Sequence, residues 1–282
     1  MKIKLMLIGC AFLMFNGSVA LAELDLLTPY DDFNTKKFNG CKYCINPEKW
    51  MGSQRGDYVT DLQRVIKAKR ARLSHRSWGR SDSDVGREQG RNRMVFRDSA
   101  NMSGACFVPR VKKYDMQDCA TNDGSSQVRI RYMGKFFDAD IADLGQDDGM
   151  VYAAVEVRRY VDSAEKKAMF DVVGWVTECE GVDCATDAWN TVLNFGTVKA
   201  SLNKKELCLA YDRDNNEFML SYGSDVRTVS AVDGLPGRAD FVPSDQAWQV
   251  IETRTDVENC TSGPISAFID ADFDKVKIRE IP

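Results

Sequence analysis

Alternating apolar residues around a polar turn, within residues 206–229, are the feature that most constrains the fold of this chain. Apolar side chains occupy every second position on both arms of this stretch: Leu207, Leu209 and Tyr211 on the first, and Phe218, Leu220 and Tyr222 on the second. Residues 212–216 lie between the arms and read DRDNN, rich in the turn formers Asp and Asn. Period-two alternation on both sides of such a turn predicts an antiparallel β-hairpin.

Similar stretches recur along the chain and predict an all-β fold. Strand-like patterns occur at residues 94–96, 127–137, 151–160, 168–179, 189–195, 248–253 and 265–278. Short strands separated by turn residues are typical of a two-sheet antiparallel jelly-roll sandwich. We expect at most one or two short helices, with residues 57–68 as a candidate, and we interpret residues 98–126 as a long polar connection.

The first 22 residues have the features of a cleaved secretory signal peptide. A basic start, MKIK, precedes an apolar segment at residues 5–15, and a small-x-small pattern ends at Ala22. A lipoprotein signal, in which Cys10 carries the lipid, is the alternative. No later segment has the length and apolar character of a membrane span. We therefore expect a single exported domain, residues 23–282, in the periplasm or outside the cell.

The mature chain is predicted to be mildly acidic overall. Removal of Lys2 and Lys4 leaves 38 − 2 = 36 basic residues against 42 acidic ones, a net charge of −6. Such a balance argues against nucleic acid as a partner. Residues 64–97 are locally basic, with eleven Lys or Arg against three acids. This run can hold an anionic polysaccharide, lipopolysaccharide or nucleic acid, or it can form a solvated strand face paired with acidic neighbours.

Eight cysteines remain after signal cleavage, and their even number predicts a disulfide-stapled domain. These are Cys41, Cys44, Cys106, Cys119, Cys179, Cys184, Cys208 and Cys260. We expect local pairs 41–44, 106–119 and 179–184, which leave 208–260. The Cys-x-x-Cys spacing at 41–44 is also that of redox pairs and zinc sites, but Pro47 follows it and no matching second pair completes a zinc site.

Both ends of the chain carry motifs that resemble a known superfamily. Residues 30–33 (YDDF) with Lys49-Trp50, and residues 271–278 (ADFDKVKI), resemble the opening and closing strands of concanavalin A-like lectin/glucanase (laminin G-like) jelly rolls. The hairpin at 209–222 resembles a hairpin of the same domains. The resemblance covers most of residues 28–280 and implies their fold, while the function must be argued from a site.

The resemblance also implies candidate site residues. In such jelly rolls an Asp of the closing strand often binds a structural calcium with main-chain oxygens near the first strand, a role that falls here on Asp274. Sugars lie on one sheet, where aromatic rings stack and polar side chains bind hydroxyls. The corresponding candidates in this chain are Tyr132, Tyr160, Trp175, Arg131 and Arg158.

The glucanase branch carries a catalytic strand of type Glu-x-Asp-x-x-Glu, which this chain lacks. Glu156 is followed by Arg158 in the place of the Asp, and no second glutamate completes the motif. His75, the only histidine, is predicted to be a structural strand residue. We therefore expect no catalytic residues, although this reading leaves enzyme activity uncertain.

The leading hypothesis is an exported, non-catalytic carbohydrate-binding or cell-surface recognition domain, whose partner is a polysaccharide or glycan. A polysaccharide-degrading lyase or hydrolase of the same fold is the first alternative, with Glu156, Arg158, Arg131 and Tyr160 as displaced catalytic groups. A structural envelope protein, with both faces of the sandwich covered, is the second alternative. The sequence leaves the oligomeric state open.

Overall fold

Two antiparallel sheets form the described part of the chain in a computed structural model. The structure describes residues 27–34, 43–138, 149–161, 169–180, 186–199, 205–231 and 248–280. The predicted signal peptide, Cys10, Cys41 and Cys184 lie outside these residues. Among the residues described, no helix has the length and apolar character needed to cross a membrane.

The first sheet has eight strands in the order β13-β12-β11-β6-β15-β4-β3, with β1 paired to β15. Its strands are β1 (Thr28–Asp31), β3 (Val59–Ile66), β4 (Ala71–Trp78), β6 (Met102–Met116), β11 (Leu207–Asp212), β12 (Glu217–Tyr222), β13 (Asp225–Ser230) and β15 (Ser266–Glu280). The early and late parts of the chain thus lie side by side, because β15 pairs with β1, β4 and β6.

The second sheet has seven strands in the order β10-β9-β8-β7-β14-β5-β2. Its strands are β2 (Trp50–Arg55), β5 (Arg87–Phe96), β7 (Gln127–Asp138), β8 (Met150–Tyr160), β9 (Met169–Glu180), β10 (Thr186–Lys199) and β14 (Trp248–Glu258). A short 3-10 turn at Ser99–Asn101 is the helical element among the described residues. The predicted all-β, two-sheet antiparallel fold is confirmed.

The predicted hairpin is confirmed and its apolar side chains fill the space between the sheets. β11 pairs with β12 around residues 213–216, with Leu209 opposite Leu220. Both leucines are fully buried. The Phe218 ring packs against Phe136 and Phe137 of the other sheet, with ring centroids 5.1 and 6.0 Å apart. Side chains from both sheets therefore form one apolar core.

The motif near the start of the chain forms an aromatic cluster at one edge of this core. Trp50 is buried, and its indole N–H donates to the Asp31 carboxylate over 2.9 Å. The Trp50 ring lies 4.4 Å from Phe96 and 5.3 Å from Tyr30. The buried hydrogen bond satisfies the one polar atom of the indole, so the ring can pack in the core.

Two local predictions are wrong. The candidate helix at 57–68 is strand β3, and the supposed polar connection at 98–126 contains the 15-residue strand β6. β6 is held between β15 and β11, which lie far along the sequence. Pairing between distant segments overrides local propensity, and it cannot be predicted from a single stretch of sequence.

The disulfide prediction is right about bonding but wrong about two pairs. Cys106 bonds Cys208, its cross-strand neighbour, and Cys119 bonds Cys260. A 106–119 bond is excluded because extended β6 carries the chain away from Cys106, at ~3.3 Å for each residue. Cys44 and Cys179 are also disulfide-bonded. Their predicted partners lie outside the described residues.

His75 joins the two sheets in the middle of the sandwich. Its ring nitrogens lie 3.0 Å from the Thr253 hydroxyl and 3.1 Å from the Thr255 hydroxyl, both on β14. The side chain has no exposed surface, and burial lowers the pKa of His75 from 6.5 to about 4. The structure thus places His75 in the structural position that the sequence predicts.

The burial of His75 predicts a pH dependence of the free energy of unfolding. Between pH 6.5 and about 4 the unfolded chain binds a proton at this residue and the native chain does not. Stability should therefore fall by about 3 kcal/mol as the pH drops through this range. Urea unfolding at several pH values measures the slope. His75→Gln should flatten it, and equal slopes for the two proteins would contradict this assignment.

Candidate functional site

The outer face of the seven-stranded sheet carries the charged groups. On β7, Ile130 and Tyr132 point into the core, and Arg129 and Arg131 point outward. The other strands of the sheet alternate in the same way, because successive side chains of a strand lie on opposite faces. Outward residues that are opposite one another on neighbouring strands therefore form rows across the sheet.

One of these rows consists of arginines on five adjacent strands. Arg55 is opposite Arg91, Arg91 is opposite Arg254, Arg254 is opposite Arg129, and Arg129 is opposite Arg158. We call these five residues the arginine row. Like charges placed directly opposite each other destabilise a sheet, so the row needs compensating charges.

Three buried carboxylates, Glu252, Glu156 and Asp256, supply part of that compensation. Glu252 accepts from Arg131 at 2.6 Å and from Arg93 at 2.9 Å.

The other two carboxylates lie beside the arginine row. Asp256 pairs with Arg129 at 2.6 Å and with Arg254 at 2.8 Å. Glu156 lies between Arg158 at 3.3 Å and Arg129 at 3.5 Å. Each buried carboxylate is thus shared by at least two guanidinium groups.

The guanidinium groups keep these carboxyls ionised. Burial by itself raises the pKa of Glu252, but Arg131 and Arg93 outweigh it and bring this pKa to about 2. Burial likewise raises the pKa of Asp256, and the arginines around it bring the value to about 2. The pKa of Glu156 is lowered for the same reason. None of the three carboxyls therefore holds a proton near neutral pH.

An apolar row runs parallel to the arginine row, four residues away along each strand. Its members are Val95, Val250, Met133, Ala154, Trp175 and Val192, each opposite the next. A row of mixed charge, with Arg93, Glu252, Arg131 and Glu156, lies between the two. The face therefore changes from apolar to strongly basic over a short distance.

A groove of about 560 Å³ follows this face. Six arginines line it, together with Trp175, Tyr152 and the carboxylates Glu156 and Asp187. A second groove of about 320 Å³ continues past Trp248, whose ring lies 5.0 Å from the Arg93 guanidinium. Such a surface offers a flat aromatic ring beside several charged hydrogen-bond donors.

The structure brings together three of the five predicted ligand-binding residues. Arg131, Arg158 and Trp175 line the groove. Tyr160 lies next to it, with the Arg158 guanidinium 5.4 Å from its ring centre. Tyr132 is misassigned, because it faces the core, has no exposed surface and bonds Gln249. The alternation that places Arg131 outward turns Tyr132 inward.

Sequence reasoning did not find Arg55, Arg91 or Arg254 as partners of this site. Arg91 lies in the basic run noted in the sequence, but the run does not show which strands meet. The cross-strand register that unites them depends on pairing between distant segments. The only signal that the sequence offers for these three arginines is a charged residue at alternating positions of several predicted strands.

Asp274 lies on the other sheet, away from the groove. Its carboxylate accepts from Arg70 over 3.2 Å and from the backbone N–H of Lys275 over 2.9 Å. The guanidinium competes with a cation for this carboxylate. Within the described residues, no group of three closely spaced His, Cys, Asp or Glu side chains includes Asp274. Calcium binding at Asp274 stays a prediction.

Comparison with known proteins yields structural likeness only. No protein-family model matches the chain, and no curated protein matches it. One similar solved structure is the laminarinase catalytic domain from Thermotoga maritima, with a TM-score of 0.45 and 7% identity over 91% of this chain and 99% of that chain. Another is the catalytic domain of an endo-1,3-β-glucanase (laminarinase) from Thermotoga petrophila, with a TM-score of 0.44 and 9% identity over 88% and 97%.

A third similar structure is the endo-β-1,3-glucanase from Pyrococcus furiosus, with a TM-score of 0.44 and 9% identity over 90% of this chain and 95% of that chain. All three are named as laminarinases or endo-1,3-β-glucanases. At such TM-scores and identities, the likeness carries no argument about what this chain does, and the function must be inferred from the groove.

The shared carboxylates predict a large effect of a small substitution. Glu252→Gln removes the carboxylate that forms ion pairs with Arg93 and with Arg131. We expect the free energy of unfolding to fall by about 3 kcal/mol, the usual cost of breaking a buried pair. Urea denaturation measures it. The control is Glu206→Gln, whose partner Lys277 is partly exposed and whose loss should cost less than about 1 kcal/mol. Equal losses would contradict the role given to Glu252.

Proposed function

We propose that this protein binds a carbohydrate in the groove on its seven-stranded sheet. The observation that carries the proposal is the apolar row ending near Trp175 beside rows of charged side chains. A sugar ring has an apolar face and a rim of hydroxyls, so it needs an aromatic platform and polar groups in the same site. Arg158 and Asp187, which line the groove with Trp175, are suitable hydroxyl partners.

The ionised state of the buried glutamates favours binding without cleavage. A glycoside hydrolase needs a carboxylic acid that can give a proton to the leaving oxygen, and such an acid has a raised pKa. Glu156, which lines the groove, and Glu252, which lies in the row beside it, both have lowered pKa values because guanidinium groups surround them. These two buried carboxyls are therefore unsuited to the role of that acid, which favours recognition over hydrolysis at their positions.

We also propose that the protein acts outside the cytoplasm. Disulfides persist in oxidising compartments, and the Cys106–Cys208 and Cys119–Cys260 bonds each join distant parts of the chain. The predicted signal peptide agrees with this location. A surface glycan or an environmental polysaccharide is therefore a suitable partner.

The carbohydrate proposal predicts a selective effect of removing one aromatic ring. Trp175→Ala should weaken binding to the best ligand of a glycan array by at least about tenfold, as loss of a stacked aromatic anchor does. The matched control is Trp78→Ala, since Trp78 is partly exposed on the other sheet beside Arg76. Equal loss in both variants, or no effect of Trp175→Ala, would contradict the proposed groove.

A further inference from the structure

We propose that the arginine row is a subsite for an acidic saccharide, a chain bearing carboxylate or sulfate groups that lies across the strands. This inference rests on the proposed function and names its class of ligand. It is drawn from the register of the seven-stranded sheet, from the incomplete compensation of the arginines and from their burial.

The register makes the row an extended positive track. Its five members lie on the adjacent strands β2, β5, β14, β7 and β8. Neighbouring strands are ~4.8 Å apart, so the row extends over about 19 Å. That length exceeds one small anion and suits a linear molecule with repeated negative groups. Guanidinium groups form paired hydrogen bonds with carboxylate and sulfate-like anions, which gives such contacts both strength and orientation.

Two members of the row have no ion pair with the described residues. Arg91 forms no ion pair with the described residues, and its guanidinium donates a hydrogen bond to the Gln89 side-chain oxygen over 2.9 Å. Arg55 is exposed, lines the groove and forms no ion pair within the same part of the chain. Six arginines and two carboxylates, Glu156 and Asp187, line the groove. Glu252 and Asp256 also pair with arginines of this lining. Six guanidinium groups thus face four carboxylates, which leaves excess positive charge here in a protein of net negative charge.

Buried donors without partners point to the same sites. The Nε atoms of Arg91, Arg129 and Arg158 are buried and have no hydrogen-bond partner among the described residues. Burial lowers the pKa of Arg91 to about 9, because Glu252, which acts in the opposite direction, does not outweigh burial together with Arg254, Arg131 and Arg93. Burial also lowers the pKa of Arg254 to about 10. A buried guanidinium group has lost part of its hydration, and an anion that binds beside it stabilises its charge.

The same observations favour a saccharide over a nucleic acid. Single-stranded nucleic acids are held by successive aromatic side chains on which the bases stack. Only Trp175 and Tyr152 provide aromatic rings in the described lining of the main groove, and carboxylates also face it. Repeated arginines beside one platform suit acidic groups on sugar rings better than a run of bases.

Arg91→Gln tests the inference because it removes charge without breaking an ion pair. The probes are polygalacturonate for carboxylates, a sulfated galactan for sulfates and laminarin as a neutral glucan, with single-stranded DNA as a generic polyanion. Binding is measured by calorimetry at low and high salt, and the melting temperature is measured in parallel. The control is Arg76→Gln, an equal change of charge on the outer face of the other sheet.

We expect wild-type protein to bind one of the acidic polysaccharides more tightly than laminarin or DNA, and more weakly as salt rises. Arg91→Gln should weaken that binding about tenfold, as the loss of one charged hydrogen bond does, while the melting temperature stays the same or rises. Arg76→Gln should leave binding unchanged.

Other results overturn the inference in distinguishable ways. If laminarin binds equally well and Arg91→Gln has no effect, the carbohydrate proposal stands and the acidic subsite is wrong. If no polysaccharide binds, both proposals fail. If DNA binds as tightly as the acidic polysaccharides, the row is a general polyanion surface. A lowered melting temperature for Arg91→Gln with unchanged affinity would make Arg91 a structural residue.

Discussion

The ionisation of three buried carboxylates, Glu252, Glu156 and Asp256, holds the seven-stranded sheet together on its charged face. Each pairs with at least one guanidinium group from a neighbouring strand, so β5, β14, β7 and β8 are linked by ion pairs as well as by backbone hydrogen bonds. The carboxylates are stable in this position only because the arginines are there, and the arginines are tolerable at such spacing only because of the carboxylates. The two sets of charges thus depend on each other.

The compensation between these two sets of charges is incomplete, because of the register in which the strands pair. The carboxylates meet the inner arginines, whereas Arg91 and Arg55 stand opposite other arginines without an ion pair in the described part of the chain. Stability alone favours a neutral residue at these two positions. We infer that function is the reason for keeping them, because both line grooves that also contain an aromatic ring, and such a surface is suited to an acidic sugar.

Local patterns in the sequence predict the parts of the fold that are formed by nearby residues. The 207–222 hairpin, most strands of the second sheet and the structural role of His75 follow from alternation and composition. The strand β6 and the Cys106–Cys208 and Cys119–Cys260 bonds do not, because they depend on contacts between distant segments.

The sequence predicts the residues of the groove only in part. Arg131, Arg158 and Trp175 are found from alternation, but the arginine row needs the register of five strands, and Tyr132 shows that alternation without the position of the core can choose the wrong face.

The most direct test is a crystal structure of the protein with a short oligogalacturonate or sulfated oligosaccharide. We predict that the saccharide lies across β5, β14, β7 and β8, with an acidic group bonded to Arg91 or Arg254 and a sugar ring near Trp175 on β9. A saccharide bound on the eight-stranded sheet, or one in the groove whose acidic groups point to solvent away from the arginine row, would contradict the central claim.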